Sequence, residues 1–179
     1  MFKTEETKNE IFTSQTYGQV DLRMMIDLIR NYLDEDLEKE YSLVIGTDSH
    51  ERNESENNKS KLTIVTAVTI HRDHMGGIYF YRKKAAHNLS REASRKSKIK
   101  NKIFQETIES LNFASYFVPL LQQNLNGHFP RLEIHIDVGE RGETRDMIKE
   151  VVGMVTGSGY QAKIKPDSFG ASNVADKHT

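Results

Sequence analysis

Two aspartates close short hydrophobic runs in a way that would let them act together. Asp48 lies in Ile45-Gly46-Thr47-Asp48-Ser49-His50, and Asp137 lies in Ile134-His135-Ile136-Asp137-Val138-Gly139. Both runs read as β-strands, and if they are neighbours in one sheet their carboxylates leave it side by side. Open α/β sheets take ligands outside the carboxyl ends of their strands. Two such anions repel, and one takes up a proton unless a cation lies near both. Mg²⁺ and Mn²⁺, hard ions that prefer oxygen ligands, suit the pair. Either Asp alone also suits a simpler role, opening a turn after its strand.

Two further acids fall where helices would carry them. Glu106 follows Ile103 by three residues and precedes Ser110 by four, at the border of the apolar stripe of a long helix. It can face the sheet, whereas Glu109 lies further round toward solvent. Asp176, in Ala171-Ser172-Asn173-Val174-Ala175-Asp176-Lys177, shares a helix face with Ser172. Taken singly, the first is an ordinary helix-boundary residue and the second a solvated carboxylate.

The neighbours of these acids carry weaker signals. His50 could touch a phosphate or a metal, or simply be solvated at the mouth of a hairpin. His135 shares a strand face with Asp137 and suits core packing or a side-chain hydrogen bond. Asp167, after Pro166, begins a turn. Gly139 and Gly142 suit a tight strand-to-helix turn and, less specifically, a phosphate cradle. Tyr79, Phe80 and Tyr81 could stack bases, but alternate residues of a strand must face the core.

The charge is uneven. From Arg82 to Lys102 the chain has nine basic residues against the single acid Glu92, a net +8 in a protein whose formal charge is −1. Such a stretch attracts polyphosphate, because each neutralised phosphate releases a condensed counterion. Lys83, Lys84, Arg91, Arg95, Lys96, Lys98 and Lys100 are therefore candidate nucleic-acid contacts. The alternative is a solvated helix face.

The 179 residues amount to one domain, large enough for one core. With 28% charged and 36% hydrophobic residues the composition is that of an ordinary globular protein. The absence of cysteine excludes disulfides, thiolate metal sites and a cysteine nucleophile. Met1 to Glu10 lacks the apolar core of a signal peptide, and no apolar run reaches the roughly 18 residues of a membrane span. A cytoplasmic protein is expected.

Leu22, Met25, Ile26, Ile29 and Leu33 recur at helical spacing, so Val20 to about Leu37 reads as an amphipathic helix. Tyr41–Thr47 is a strand, polar Glu51–Lys61 a long hairpin connection, and Leu62–Ile70 a second strand. Gly76-Gly77 turns the chain into a third strand over Ile78–Tyr81. Ile99, Ile103, Thr107, Leu111, Ala114 and Val118 trace a long helix that Pro119 should kink or end. Leu132–Val138 is a strand, Met147–Val155 a helix closed by Gly157 and Gly159, and Tyr160–Ile164 a last strand. Gly170–Lys177 forms a short helix. The order, a helix and then β-β-β-α-β-α-β-α, implies a mixed sheet flanked by helices.

From Tyr41 onward the chain resembles the ribonuclease H-like YkuK family of bacterial proteins. The segments that carry the likeness are Ile45-Gly46-Thr47-Asp48-Ser49, Gly76-Gly77-Ile78-Tyr79-Phe80, Glu106 with Ser110-Leu111, and Ile136-Asp137-Val138-Gly139. They continue through Gly153-Met154-Val155 and Lys165-Pro166-Asp167 to Ala171–Lys177. The resemblance implies an α/β, ribonuclease H-like fold with a five-stranded mixed sheet: three antiparallel strands, then βαβα. It implies a single domain over 1–179, with residues 18–40 an accessory N-terminal helix and 41–179 the core. Ribonuclease H-like nucleases carry acids on the first strand, the first helix after strand three, the fourth strand and the last helix. By that likeness Asp48, Glu106, Asp137 and Asp176 would be catalytic and would hold one or two Mg²⁺ or Mn²⁺ ions for phosphodiester hydrolysis on RNA or DNA. The leading helix and the Glu51–Lys61 excursion depart from a typical ribonuclease H. A second reading is a catalytically silent nucleic-acid- or protein-binding module on the same fold, which needs the basic stretch but not the four acids. A third, phosphoryl transfer of the actin and sugar-kinase type, needs two such domains closed around ATP, and this chain has room for one.

Overall fold

The computed structural model describes residues 10–54, 59–86, 94–127, 129–139 and 145–179. Its centre is a strand, β3 (Tyr41–Glu54), whose first residues, Leu43, Val44 and Ile45, are fully buried. β4 (Lys59–Arg72) and β5 (Gly76–Ala86) follow as an antiparallel meander, while β6 (Arg131–His135) and β7 (Gln161–Lys163) add to the other side of β3 in parallel. Two four-residue strands, β1 (Ile11–Ser14) and β2 (Gly18–Asp21), pair as a hairpin on the outer edge of β5. The sheet thus has seven strands in the order β2-β1-β5-β4-β3-β6-β7, not the five expected. The extra two escape hydrophobic alternation because they are short and polar; Phe12 and Val20 alone anchor them to the core.

Alternation along the strands sorts the two faces of the sheet. Leu43 and Ile45 of β3, Val68 and Ile70 of β4, Phe80 of β5 and Ile134 of β6 face a helical layer. That layer is α1 (Leu22–Asp34), α2 (Arg95–Asn124) and α3 (Ile148–Gly157). α1 begins at Asp21, whose carboxylate accepts from the Met24 N–H at 2.7 Å, and its apolar stripe is the one expected. α2 continues past Pro119 to Asn124, so the proline does not end the helix. Proline removes one backbone hydrogen bond there, but Phe117, Val118 and Leu121 are buried on either side of it, and packing carries the helix through.

The described residues of the polar Glu51–Lys61 segment form a paired ladder: Glu51 faces Leu62, and the register continues to Glu54 opposite Lys59. Backbone pairing does not require apolar side chains, so such a ladder leaves no hydrophobic signal. The β4–β5 turn needs its glycines: Gly76 has φ +80°, and a Cβ on Gly77 would stand 2.3 Å from the Ile70 carbonyl oxygen. On the face away from the helices lies the C-terminal segment, a π-helical turn over Gly170–Ala175 and a 3₁₀ turn over Asp176–His178. It lies flat on the sheet because Gly170 has no side chain; a Cβ there would meet Val44 Cγ1 at 2.4 Å. No helix among the described residues is long and apolar enough to cross a membrane.

Candidate metal centre

The two aspartates occupy equivalent positions on adjacent parallel strands. Gly46 of β3 pairs with His135 of β6, and Asp48 and Asp137 each come two residues later. Pairing of β3 with β6 ends at that rung. The Ile136 N–H donates to the Lys163 carbonyl at 2.9 Å and the Val138 N–H to the Ile136 carbonyl at 2.9 Å, so the chain turns tightly around Asp137. Its strand therefore ends at His135, three residues before the expected Val138. By alternation Asp48 lies on the face that carries the C-terminal turns, and Thr47 and Ser49 lie on the face of α2.

α2 is fastened to β3 by two polar contacts next to this point. Ser110 Oγ donates to Thr47 Oγ1 at 2.8 Å, and Glu106 Oε1 accepts from both the Ser49 N–H (2.8 Å) and Ser49 Oγ (2.7 Å). One helical turn rises about 6 Å over four residues and two strand residues span roughly 6.6 Å, so positions 106 and 110 match 49 and 47. Thr47 Oγ1 in turn donates to Thr66 Oγ1 of β4 at 3.2 Å. Glu106 is thus a buried residue facing the sheet, as its place on the apolar stripe predicts.

One cation joins the two elements. Lys102 Nζ stands 3.3 Å from Asp48 Oδ1 and 3.4 Å from Glu106 Oε1, with the lysine side chain 45% exposed and the carboxylates 7% and 5%. Burial pushes the Glu106 carboxyl up to about 7; Lys102 and the Ser49 hydrogen bonds pull it back, and the charge on Asp48 adds to the rise. Burial works against the Lys102 ammonium, but Glu106 and Asp48 outweigh it and hold that group above its ordinary value. Asp137 has its own lysine: Lys165 Nζ lies 2.8 Å from Oδ1. That distance makes an ion pair without hydrogen-bond geometry, so the buried Oδ1 atom has no hydrogen-bond partner.

Asp176 reaches the same side of the sheet. Ala175 is buried against Val65 and Ala67, and Val65 is the residue paired with Asp48. Asp176 follows it with an exposed carboxylate. Asp48 and Glu106 are therefore brought together through Lys102, while Asp137 and Asp176 stand apart from them. Among the described residues no group of three or more His, Cys, Asp or Glu side chains is close enough to hold one ion. Asp48 and Glu106 already share a monovalent cation between them, and carboxylate oxygens are the ligand type that hard divalent cations take.

The basic stretch divides. Arg82 is not a surface residue at all; it is buried, bonded to Glu10 and Tyr116, with its guanidinium 4.6 Å from the Phe113 ring centroid. Lys83, Lys84, Arg95, Lys98 and Lys100 are exposed. Of these, Lys84 lies 3.8 Å from Glu10, Lys100 lies 3.2 Å from Glu150, and Lys83 stands over the Tyr81 ring. Arg91 falls outside the described residues, as does the side chain of Lys96. Gly142 also lies outside them.

The weaker candidates resolve as follows. His50 and Asp167 are exposed. His135 is buried, accepts from the Gly170 N–H at Nδ1 (3.0 Å) and so donates from Nε2 to Glu133 (3.0 Å), a packing role; burial lowers its pKa. Phe80 is core, whereas Tyr81 stacks on His178 with ring centroids 3.8 Å apart. Residue-by-residue reasoning missed Ser49, Lys102 and Lys165. The i, i+4 spacing of Lys102 and Glu106 was an available signal for one of them.

With the geometry in view, the chain can be compared with known proteins. The family model described as Ribonuclease H-like matches residues 24–179, and the chain belongs to that family. It is 27% identical over 178 residues to "Uncharacterized protein YkuK" of Bacillus subtilis (strain 168), covering 94% of this chain and 96% of that protein. No solved structure matches the chain.

Proposed function

We propose that the protein is a nuclease that uses Mg²⁺ or Mn²⁺ to hydrolyse phosphodiester bonds in nucleic acid by a two-metal-ion mechanism. The observation that carries this reading is that Asp48 and Asp137 each follow by two residues the last rung, Gly46–His135, joining adjacent parallel strands, and family membership supports it. Asp48, Glu106, Asp137 and Asp176 would hold the ions. Bound there, the ions would polarise the phosphoryl group and lower the pKa of the attacking water.

The chain's own residues do the rest. Ser49 fixes one oxygen of Glu106 with two hydrogen bonds, so this carboxylate is set before any ligand arrives. The Ser110–Thr47 contact one turn away holds α2 at that height on the sheet. Exposed Lys83, Lys98 and Lys100 supply charge for a phosphate backbone. Hydrolysis joins the water oxygen to phosphorus and releases the sugar oxygen as an alcohol.

The test is cleavage and binding of labelled single-stranded, duplex and hybrid substrates with Mn²⁺ at low salt. Wild-type protein should cut at least one of them. Asp137→Asn should lose cutting and keep most of its binding, because it alters the metal site and not the basic surface. Binding without cutting in the wild type would favour the silent binding module, a reading to which the lysine neutralisation of Asp48, Glu106 and Asp137 lends weight. Neither binding nor cutting would remove both nucleic-acid readings.

A further inference from the structure

We propose that Lys102 is an exchangeable internal cation, which neutralises Asp48 and Glu106 in the metal-free protein and leaves when a divalent ion enters. The proposal rests on the metal site described under Proposed function and concerns how that site is loaded.

The geometry makes the two cations rivals. Lys102 Nζ lies 3.3 Å from Asp48 Oδ1 and 3.4 Å from Glu106 Oε1, between the two carboxylates that an ion bridging β3 and α2 would use. Glu106 Oε1 is already taken by both Ser49 hydrogen bonds, so an ion would use the other carboxylate oxygens, and an ammonium left this close would repel it. The carboxylates cannot move aside. Glu106 is tied to Ser49, and Asp48 sits within the continuous β3–β4 ladder. Lys102 can: its side chain is 45% exposed, on a flexible stem that carries a compact charge.

The direction of departure gives the exchange a consequence. Lys102 lies near the start of α2, where Arg95 and Lys98 are exposed at helical spacings of seven and four residues from it. An ammonium expelled from between the carboxylates joins these exposed charges beside the site. The protein thus gains an external positive charge as it takes up an ion, and a polyanionic substrate is held more tightly by the loaded form. Lys165 stands in the same relation to Asp137, 49% exposed and 2.8 Å away.

The experiment is an Mn²⁺ titration by calorimetry at fixed pH on wild type, Lys102→Met and Lys102→Arg. Removing a unit charge this close to two ligands should tighten Mn²⁺ binding about tenfold or more in Lys102→Met, and Lys102→Arg should not share that gain. In unmodified protein, Mg²⁺ should shift the Lys102 side-chain NMR resonances toward those of a solvated lysine, a readout that needs no variant to fold. Binding to wild type and to Lys102→Met with equal affinity, or an unmoved Lys102 signal at saturating Mg²⁺, overturns the exchange and leaves the metal site standing. Mn²⁺ binding to Lys102→Met but not to wild type also overturns the exchange, because Lys102 would then block the site without leaving it. Failure of all three proteins to bind Mn²⁺ removes the metal site and the exchange together.

Discussion

Replacing Glu106 with glutamine should stabilise the metal-free protein at alkaline pH and do little at acid pH. Burial holds the Glu106 carboxyl at about 7 against an ordinary 4.5. Between those values the folded protein keeps a proton that the unfolded chain has released, so stability falls as pH rises and the loss is complete above about pH 7. At about 1.4 kcal/mol per pH unit, the whole displacement is worth roughly 3 kcal/mol. For a domain of this size that is a melting-temperature difference of roughly 6 to 12 °C. It is a ceiling, since the half-exposed Lys102 can move to follow the charge. Glutamine keeps the carbonyl oxygen that Ser49 needs from its N–H and Oγ–H, and removes only the ionisation.

The assay is thermal unfolding of both proteins with a chelator at intervals from pH 5 to 8.5. Their curves should lie close together at pH 5 and separate as pH rises, with Glu106→Gln the more stable. His135, whose pKa burial lowers, titrates in both proteins and drops out of the difference. A gap that stays constant across the whole range would refute the reasoning, because it would mean that Glu106 is ionised throughout or is not buried. Saturating Mn²⁺ should reverse the order at pH 8 by stabilising the wild type, which retains the charged ligand.

Lys96→Glu, Lys98→Glu and Lys100→Glu combined should weaken nucleic-acid binding almost equally for every sequence, and each lost phosphate contact should flatten the log–log salt dependence by about 0.7 to 0.9 in a filter-binding or anisotropy titration; an unchanged slope would move the grip elsewhere. Arg82→Met leaves the Glu10 carboxylate and Tyr116 hydroxyl without their buried cation, and urea unfolding should register a loss of about 3 to 5 kcal/mol. A loss under 1 kcal/mol would return Arg82 to the surface basic set.

How much of this was legible beforehand depends on how local each signal is. The α1 stripe, the Gly76-Gly77 turn and the placement of Glu106 on α2 all follow from spacing within one segment, and the structure bears them out. Arg82 illustrates the opposite case. It sits in a basic run, and only the fold brings Glu10 and Tyr116, from 72 residues before and 34 after, to bury it. The β1–β2 hairpin and the Glu51–Lys61 ladder are invisible for another reason. Their stability comes from backbone pairing against β5 and β4, and that leaves no periodic pattern in polar side chains.

The site itself was half legible, and the missing half is its counter-charge. The apolar runs announce themselves, so Asp48 and Asp137 could be paired from them, although β3 runs on past Asp48 to Glu54 and Asp48 does not end it. The lysines could not, because each reaches its partner across the topology. Lys102 arrives from a helix 54 residues downstream of Asp48, at a point where β6 no longer pairs with β3. Asp48 and Glu106 share Lys102, and Asp137 has Lys165. On the proposed reading a divalent ion would have to compete with these lysines, and the affinity of the site would be set by how readily Lys102 gives way.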